Sequence, residues 1–157
     1  MADLNIEIIL DQLGKVVGKV SPGAGALEGF AFIQHLGSTP LDEADDTQGM
    51  RYFEWRDTGS FGVGPANTGA ESGWYTTILE LRVFYPKTLI VEGYPLTRGL
   101  AGIRLRDRVT LNNRLMYGDP LAGMANSIEY EHLQLVNASM VGKMMSLFYR
   151  LAWMEHI

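Results

Sequence analysis

The hydrophobic pattern predicts an α+β domain: a mostly antiparallel sheet with two helices packed on one face. The expected order is helix, strand, strand, long loop, strand, helix, strand, strand. Residues 6–17 repeat apolar side chains at steps of three and four, and residues 98–116 carry a broader, less regular apolar stripe. Between and after them run alternating segments bounded by Gly and Pro, as half-buried strands are. The 157 residues contain no internal repeat and no linker long enough to divide them, and 46% are hydrophobic. Residues 1–157 are therefore expected to form a single domain around one core.

The first helix presents Ile6, Ile9, Leu10, Leu13, Val16 and Val17 on one side and Glu7, Asp11 and Lys15 on the other. Ser21-Pro22-Gly23-Ala24-Gly25 stops it. Residues 30–36 suit a short strand, and a turn-rich acidic stretch follows to Gly49. In residues 51–56, Phe53 and Trp55 share one face while Glu54 and Arg56 share the other. Residues 57–73 hold five glycines and a proline, so they read as a long loop, the arm of a hairpin between two strands. The clearest strand is 75–85, ended by Pro86, with Thr77, Leu79, Leu81, Val83 and Tyr85 on one face. The second helix, 98–116, has a broader apolar stripe of Ile103, Leu105, Val109, Leu111, Leu115 and Met116, with five arginines on its polar surface. Two strands close the chain, one over 128–136 and one over about 140–155, the latter apolar on both faces.

Composition excludes several classes. Cysteine is absent, which removes disulfides, zinc–thiolate sites, iron–sulfur clusters and cysteine nucleophiles. A net charge of −5 argues against a protein that grips nucleic acid by covering its phosphates. No apolar run approaches membrane-spanning length, and no basic, apolar leader opens the chain, so a cytoplasmic product or something assembled there is expected. The charge is unevenly divided: residues 1–80 carry 12 acidic and 4 basic side chains, residues 81–157 carry 6 and 9. Such a split suits copies packed head to tail.

Catalytic constellations are missing. His35, His132 and His156 are far apart and lack the spacing of a zinc hydrolase. Gly59-Ser60-Phe61-Gly62-Val63-Gly64 is followed by neither Gly-Lys-Ser/Thr nor a helix start, so it is no phosphate loop. Asp42, Glu43, Asp45 and Asp46 lack the EF-hand spacing and read as a solvated acidic loop, with a hard-cation site as the alternative. The expectation is a non-enzyme with no cofactor and no metal. What remains resembles assembly equipment: a Gly-rich arm, an acidic loop, an arginine-laden helix, and adaptable methionines at 140, 144, 145 and 154.

In this setting the chain resembles the tail terminator (tail-completion) proteins of long-tailed bacteriophages. The residues that carry the resemblance are the N-terminal Ile6-Glu7-Ile8-Ile9-Leu10-Asp11-Gln12-Leu13 helix and the long strand ending in Tyr85-Pro86. Arg104-Leu105-Arg106-Asp107-Arg108-Val109 and the closing Leu147-Phe148-Tyr149-Arg150-Leu151-Ala152-Trp153 complete the pattern. The resemblance implies a virion subunit that forms a hexameric ring on the head-facing end of the tail tube. Its partners would be itself, the tail tube protein and the head-completion or connector protein, with DNA crossing the channel unread and no membrane involved.

On that reading Arg104, Arg106 and Arg108 are the candidates for pairing between subunits, with Asp42, Glu43, Asp45 and Asp46 as opposite charges. Phe61, Val63, Pro65 and Asn67, in the Gly-rich loop, are the candidates for touching a neighbouring neck or tube protein. Three other readings stay open: a different neck connector, a small cytoplasmic α+β enzyme or ligand-binding domain, and a closed dimer without a virion role.

Overall fold

A computed structural model describes residues 2–18, 32–35, 51–62, 74–85, 90–91, 94–118, 120–121, 128–130 and 133–155. The elements are α1 (Ala2–Val17), β1 (Phe32–Gln34), β2 (Arg51–Gly62), β3 (Trp74–Phe84), β4 (Ile90–Val91), β5 (Tyr94–Pro95), α2 (Leu96–Tyr117), β6 (Ile128–Tyr130), β7 (Gln134–Val141) and β8 (Met144–Glu155). The six-stranded sheet runs β1-β2-β3-β8-β6, and β7 also pairs with β8. β6 covers the end of β8 and β7 covers its start, so the two share one edge in succession. Among the described strands only the β1–β2 pairing is parallel; β4 and β5 form a separate two-stranded ribbon. The α+β class and the mostly antiparallel sheet are as the pattern predicts.

One core holds the domain together. Ile9, Leu13, Val16 and Val17 of α1 and Ile103, Leu111 and Leu115 of α2 meet Phe53, the Leu79, Leu81 and Val83 face of β3, and Met145, Leu147, Tyr149, Leu151 and Trp153 of β8. Both helices thus share one sheet face, and β3 and β8 alternate in and out as their spacing dictates. The approach is close at Gly14, where an added Cβ would lie 2.6 Å from the Gln34 side-chain amide. On the other sheet face, β2 and β3 set opposite charges directly across the ladder. Arg82 bonds Glu54 at 2.8 Å and Arg56 meets Glu80 at 2.5 Å. Tyr52, Phe84 and Met144 add a small apolar cluster there.

The expected strand over 128–136 is split into β6 and β7, the stretch before α2 pairs as β4 with β5, and two boundaries move. β2 continues through Gly62, so residues 57–62 are strand rather than loop; only 63–73, outside the described residues, remain of the expected arm. An irregularity between Asp57 and Phe61 lets the strand absorb extra residues opposite Leu79 and Thr77. Side chains bind it there: Thr77 Oγ1 donates to Asp57 at 2.8 Å and Thr58 Oγ1 to the Ile78 carbonyl at 2.8 Å. The second difference is a hairpin where one long closing strand is expected. The chain turns at Gly142-Lys143, and Val141 pairs with Met144. Gly142 has φ +57°, the left-handed conformation that tight two-residue hairpin turns require at their first position.

Candidate functional site

A polar tie inside the core sets where α2 lies. Arg51 opens β2 on the same face as Phe53, and its Nη1 donates to Asp107 Oδ1 at 2.5 Å, with both side chains shut off from water. The guanidinium carbon stands 4.3 Å from the Phe32 ring centroid, a cation–π contact in dry surroundings. Tyr85 donates its hydroxyl to Asp107 Oδ2 at 2.8 Å, so both carboxylate oxygens are engaged. Burial pushes the Asp107 pKa up, and the adjacent Arg51 charge and the hydrogen bonds from Arg51 and Tyr85 only partly pull it back. Burial, then the negative charge and hydrogen bond of Asp107, hold Tyr85 well above the ordinary phenol range, which keeps it a donor.

Three further contacts align α2 with the β7–β8 hairpin. Arg104 donates through Nη2 to the Gly142 carbonyl at the hairpin turn. Tyr149 donates to Asn112 Oδ1 at 2.5 Å, and burial raises its pKa. Met116 and Tyr117 share with Leu133 and Gln134 an open groove of about 430 Å³. The helix therefore runs antiparallel to β7, its first half at the turn and its last turn at the strand's start.

This placement gives α2 an unusual distribution. Arg104 and Asp107 face inward, while Leu105 is 53% exposed, Val109 50% and Tyr117 77%. Ala101, Arg106 and Asn113 share that outer side. On α1 the outer side carries Glu7, Asp11 and Lys15 around Ile8, which is 48% exposed. Asp11 and Lys15 pair at 3.2 Å with both side chains largely in water, a weak contact. Along β7, Val136, Met140 and Val141 are exposed. The strand has neither charge nor proline in its eight residues and pairs only with β8 among the described strands. Natural sheets usually blunt such edges.

The expected site residues are scattered. Positions 104, 106 and 108 cannot share a helix face, because steps of two rotate by about 200°. Arg104 is 8% exposed and bound to the Gly142 carbonyl, so it is withdrawn from pairing between subunits; the fold itself uses it. Arg106 is exposed on the outer side, and Arg108 is half-buried, with its charge acting on the Tyr149 phenol. Asp42, Glu43, Asp45 and Asp46, like Val63, Pro65 and Asn67, lie outside the described residues. Phe61 belongs to β2, opposite Thr77, rather than to a loop. His35 ends β1 half-buried, its N–H donating to the Phe53 carbonyl at 2.7 Å; His132 and His156 lie outside the described residues. Sequence inspection missed Arg51, Tyr85 and Asp107 as a unit. The available signal was parity: Arg51 falls on the Phe53–Trp55 face, and a charge on a buried face needs a partner.

Among the described residues no three His, Asp or Glu side chains gather as metal ligands, and no helix is long and apolar enough to cross a membrane. Compared with known proteins, the chain matches no family model and no curated protein.

Proposed function

We propose that this chain is a non-enzymatic virion subunit of a long-tailed bacteriophage. It would form a ring, of six copies by the resemblance, that caps the head-facing end of the tail tube and joins it to the neck. The observation that carries this reading is the outward apolar side of α2, in a domain whose buried Arg51 and Asp107 are already tied to each other. A solitary protein gains nothing from Leu105, Val109 and Tyr117 in water while Arg104 and Asp107 are buried; a subunit that meets a neighbour does. The edge of β7 and the −8 against +3 division of charge support the same reading. The net charge of −5 suits a channel that passes DNA without holding it.

Light scattering at high protein concentration, with negative-stain imaging of the same sample, tests the proposal. Six-fold rings with an open pore are the expected result. A closed dimer without a pore would overturn it and direct attention to the groove beside Met116, Tyr117, Leu133 and Gln134 as a ligand site. Addition to purified tail tubes then separates a terminator from another neck connector, because only the former stops tube growth.

A further inference from the structure

We infer that the ring contact is a helix-on-helix junction in which the outer side of α1 in one copy seats on the outer side of α2 in the next. The inference rests on the ring reading and names its surfaces: Glu7, Ile8 and Asp11 on one side, Leu105, Arg106 and Val109 on the other.

Charge selects the occupant. The α2 segment, residues 96–118, and the β7–β8 hairpin, residues 134–155, together carry seven basic side chains and two acidic ones. Arg104 and Asp107 are consumed in the core, by the Gly142 carbonyl and by Arg51, which leaves six basic side chains against one acidic. The surface is therefore apolar with a positive surround and fits an apolar partner with a negative surround. The chain carries that chemistry itself on α1, where Glu7 and Asp11 flank the exposed Ile8 and outnumber Lys15, which pairs with Asp11. Pairing α1 with α1 or α2 with α2 would bring like charges together, so those two contacts are disfavoured. Pairing α1 with α2 brings opposite charges together and lets Ile8 settle between Leu105 and Val109, one helical turn apart.

Placement adds the second constraint. α1 packs on β2 and α2 on β7, and β3 and β8 lie between those two strands. The two outer sides thus belong to different ends of the helical layer, so a head-to-tail junction between them joins unlike surfaces and is heterologous. Such a contact repeats from copy to copy and closes into a ring when its rotation allows.

The chain has no cysteine, so introduced ones report cleanly. Ile8→Cys combined with Leu105→Cys, oxidised at high concentration, is expected to give a ladder of covalent oligomers on a denaturing gel. Each single variant should give none beyond a dimer. In parallel, Arg106→Glu alone, or Glu7→Arg with Asp11→Arg, should weaken association at least about tenfold, and the three changes together should restore it. A melting curve on each variant confirms that it is folded.

Wild-type rings with no ladder and no response to the charge swaps would overturn the junction and leave the ring reading standing. A ladder and a rescued swap without six-fold particles would support the junction and overturn the ring. Wild-type protein that stays monomeric, with no ladder from the double-cysteine variant, would overturn both.

Discussion

The two helices share a core and a sheet face yet follow opposite rules. α1 is conventional: Ile9, Leu13, Val16 and Val17 are buried, and Glu7, Asp11 and Lys15 face water, with Ile8 the only large apolar exception among its described side chains. α2 buries Ile103, Leu111 and Leu115 but also Arg104 and Asp107, and exposes Leu105, Val109 and Tyr117. The difference shows what a helix stripe measures. It reports which side is apolar in sequence, and in α2 some of those apolar positions face outward, while an internal partner satisfies the inward charges.

The sharpest way to break the comparison is to remove that partner. Arg51→Met leaves Asp107 buried without its cation and should cost about 3–5 kcal/mol in urea unfolding at neutral pH. The pH dependence carries the sign. Because burial raises Asp107 in the folded state, the folded chain holds that proton more tightly than the unfolded chain does. Its contribution to stability is therefore present near and below the ordinary value of 3.8 and is lost as pH climbs from there to the raised value. In Arg51→Met the opposing cation is gone, so its deficit should be largest at neutral pH and shrink toward pH 4. A deficit independent of pH would mean that Asp107 is not the group left stranded.

Leu13→Ala tests the conventional helix. A fully buried leucine lost from the core should cost about 2–5 kcal/mol, with no pH dependence below neutrality to set beside Arg51→Met. Tyr85→Phe removes one of the hydrogen bonds to Asp107 and should cost about 1–3 kcal/mol, again by denaturant titration. Gly142→Ala should cost about 1–2 kcal/mol through its backbone alone, since an added Cβ there meets nothing within 4 Å. The smallest effect on the fold is expected from Leu105→Ser with Val109→Ser. Each exposed change should alter monomer stability by no more than about 0.5 kcal/mol, while association falls sharply. A large loss of monomer stability would show that these side chains serve the fold.

The parts of the fold legible in the sequence are those fixed by local period. The stripe of α1 and the alternation of residues 75–85 appear in the structure nearly residue for residue. The hairpin at Gly142 was masked because Met140, Met144 and Met145 keep the stretch apolar across the turn, hiding a glycine whose φ only a folded chain reveals. The inward side of α2 was illegible for a different reason. Asp107 is buried because Arg51, 56 residues earlier in the chain, waits for it on β2, and no window along one helix contains that partner. The continuation of β2 to Gly62 likewise depends on β3 lying beside it, which a glycine count does not record.

Three of the polar ties of α2, to Arg51, Tyr85 and the Gly142 carbonyl, bear on angular tolerance. Apolar packing lets a helix slide or roll by a few degrees at little cost, whereas directional bonds to three separate strands and turns leave one orientation. A closed circle of repeated contacts accumulates any such error once per copy, so that a roll harmless in one molecule leaves the last junction open. In the proposed ring the buried charges would act as a jig, holding the outer side of α2 at a reproducible angle from one copy to the next.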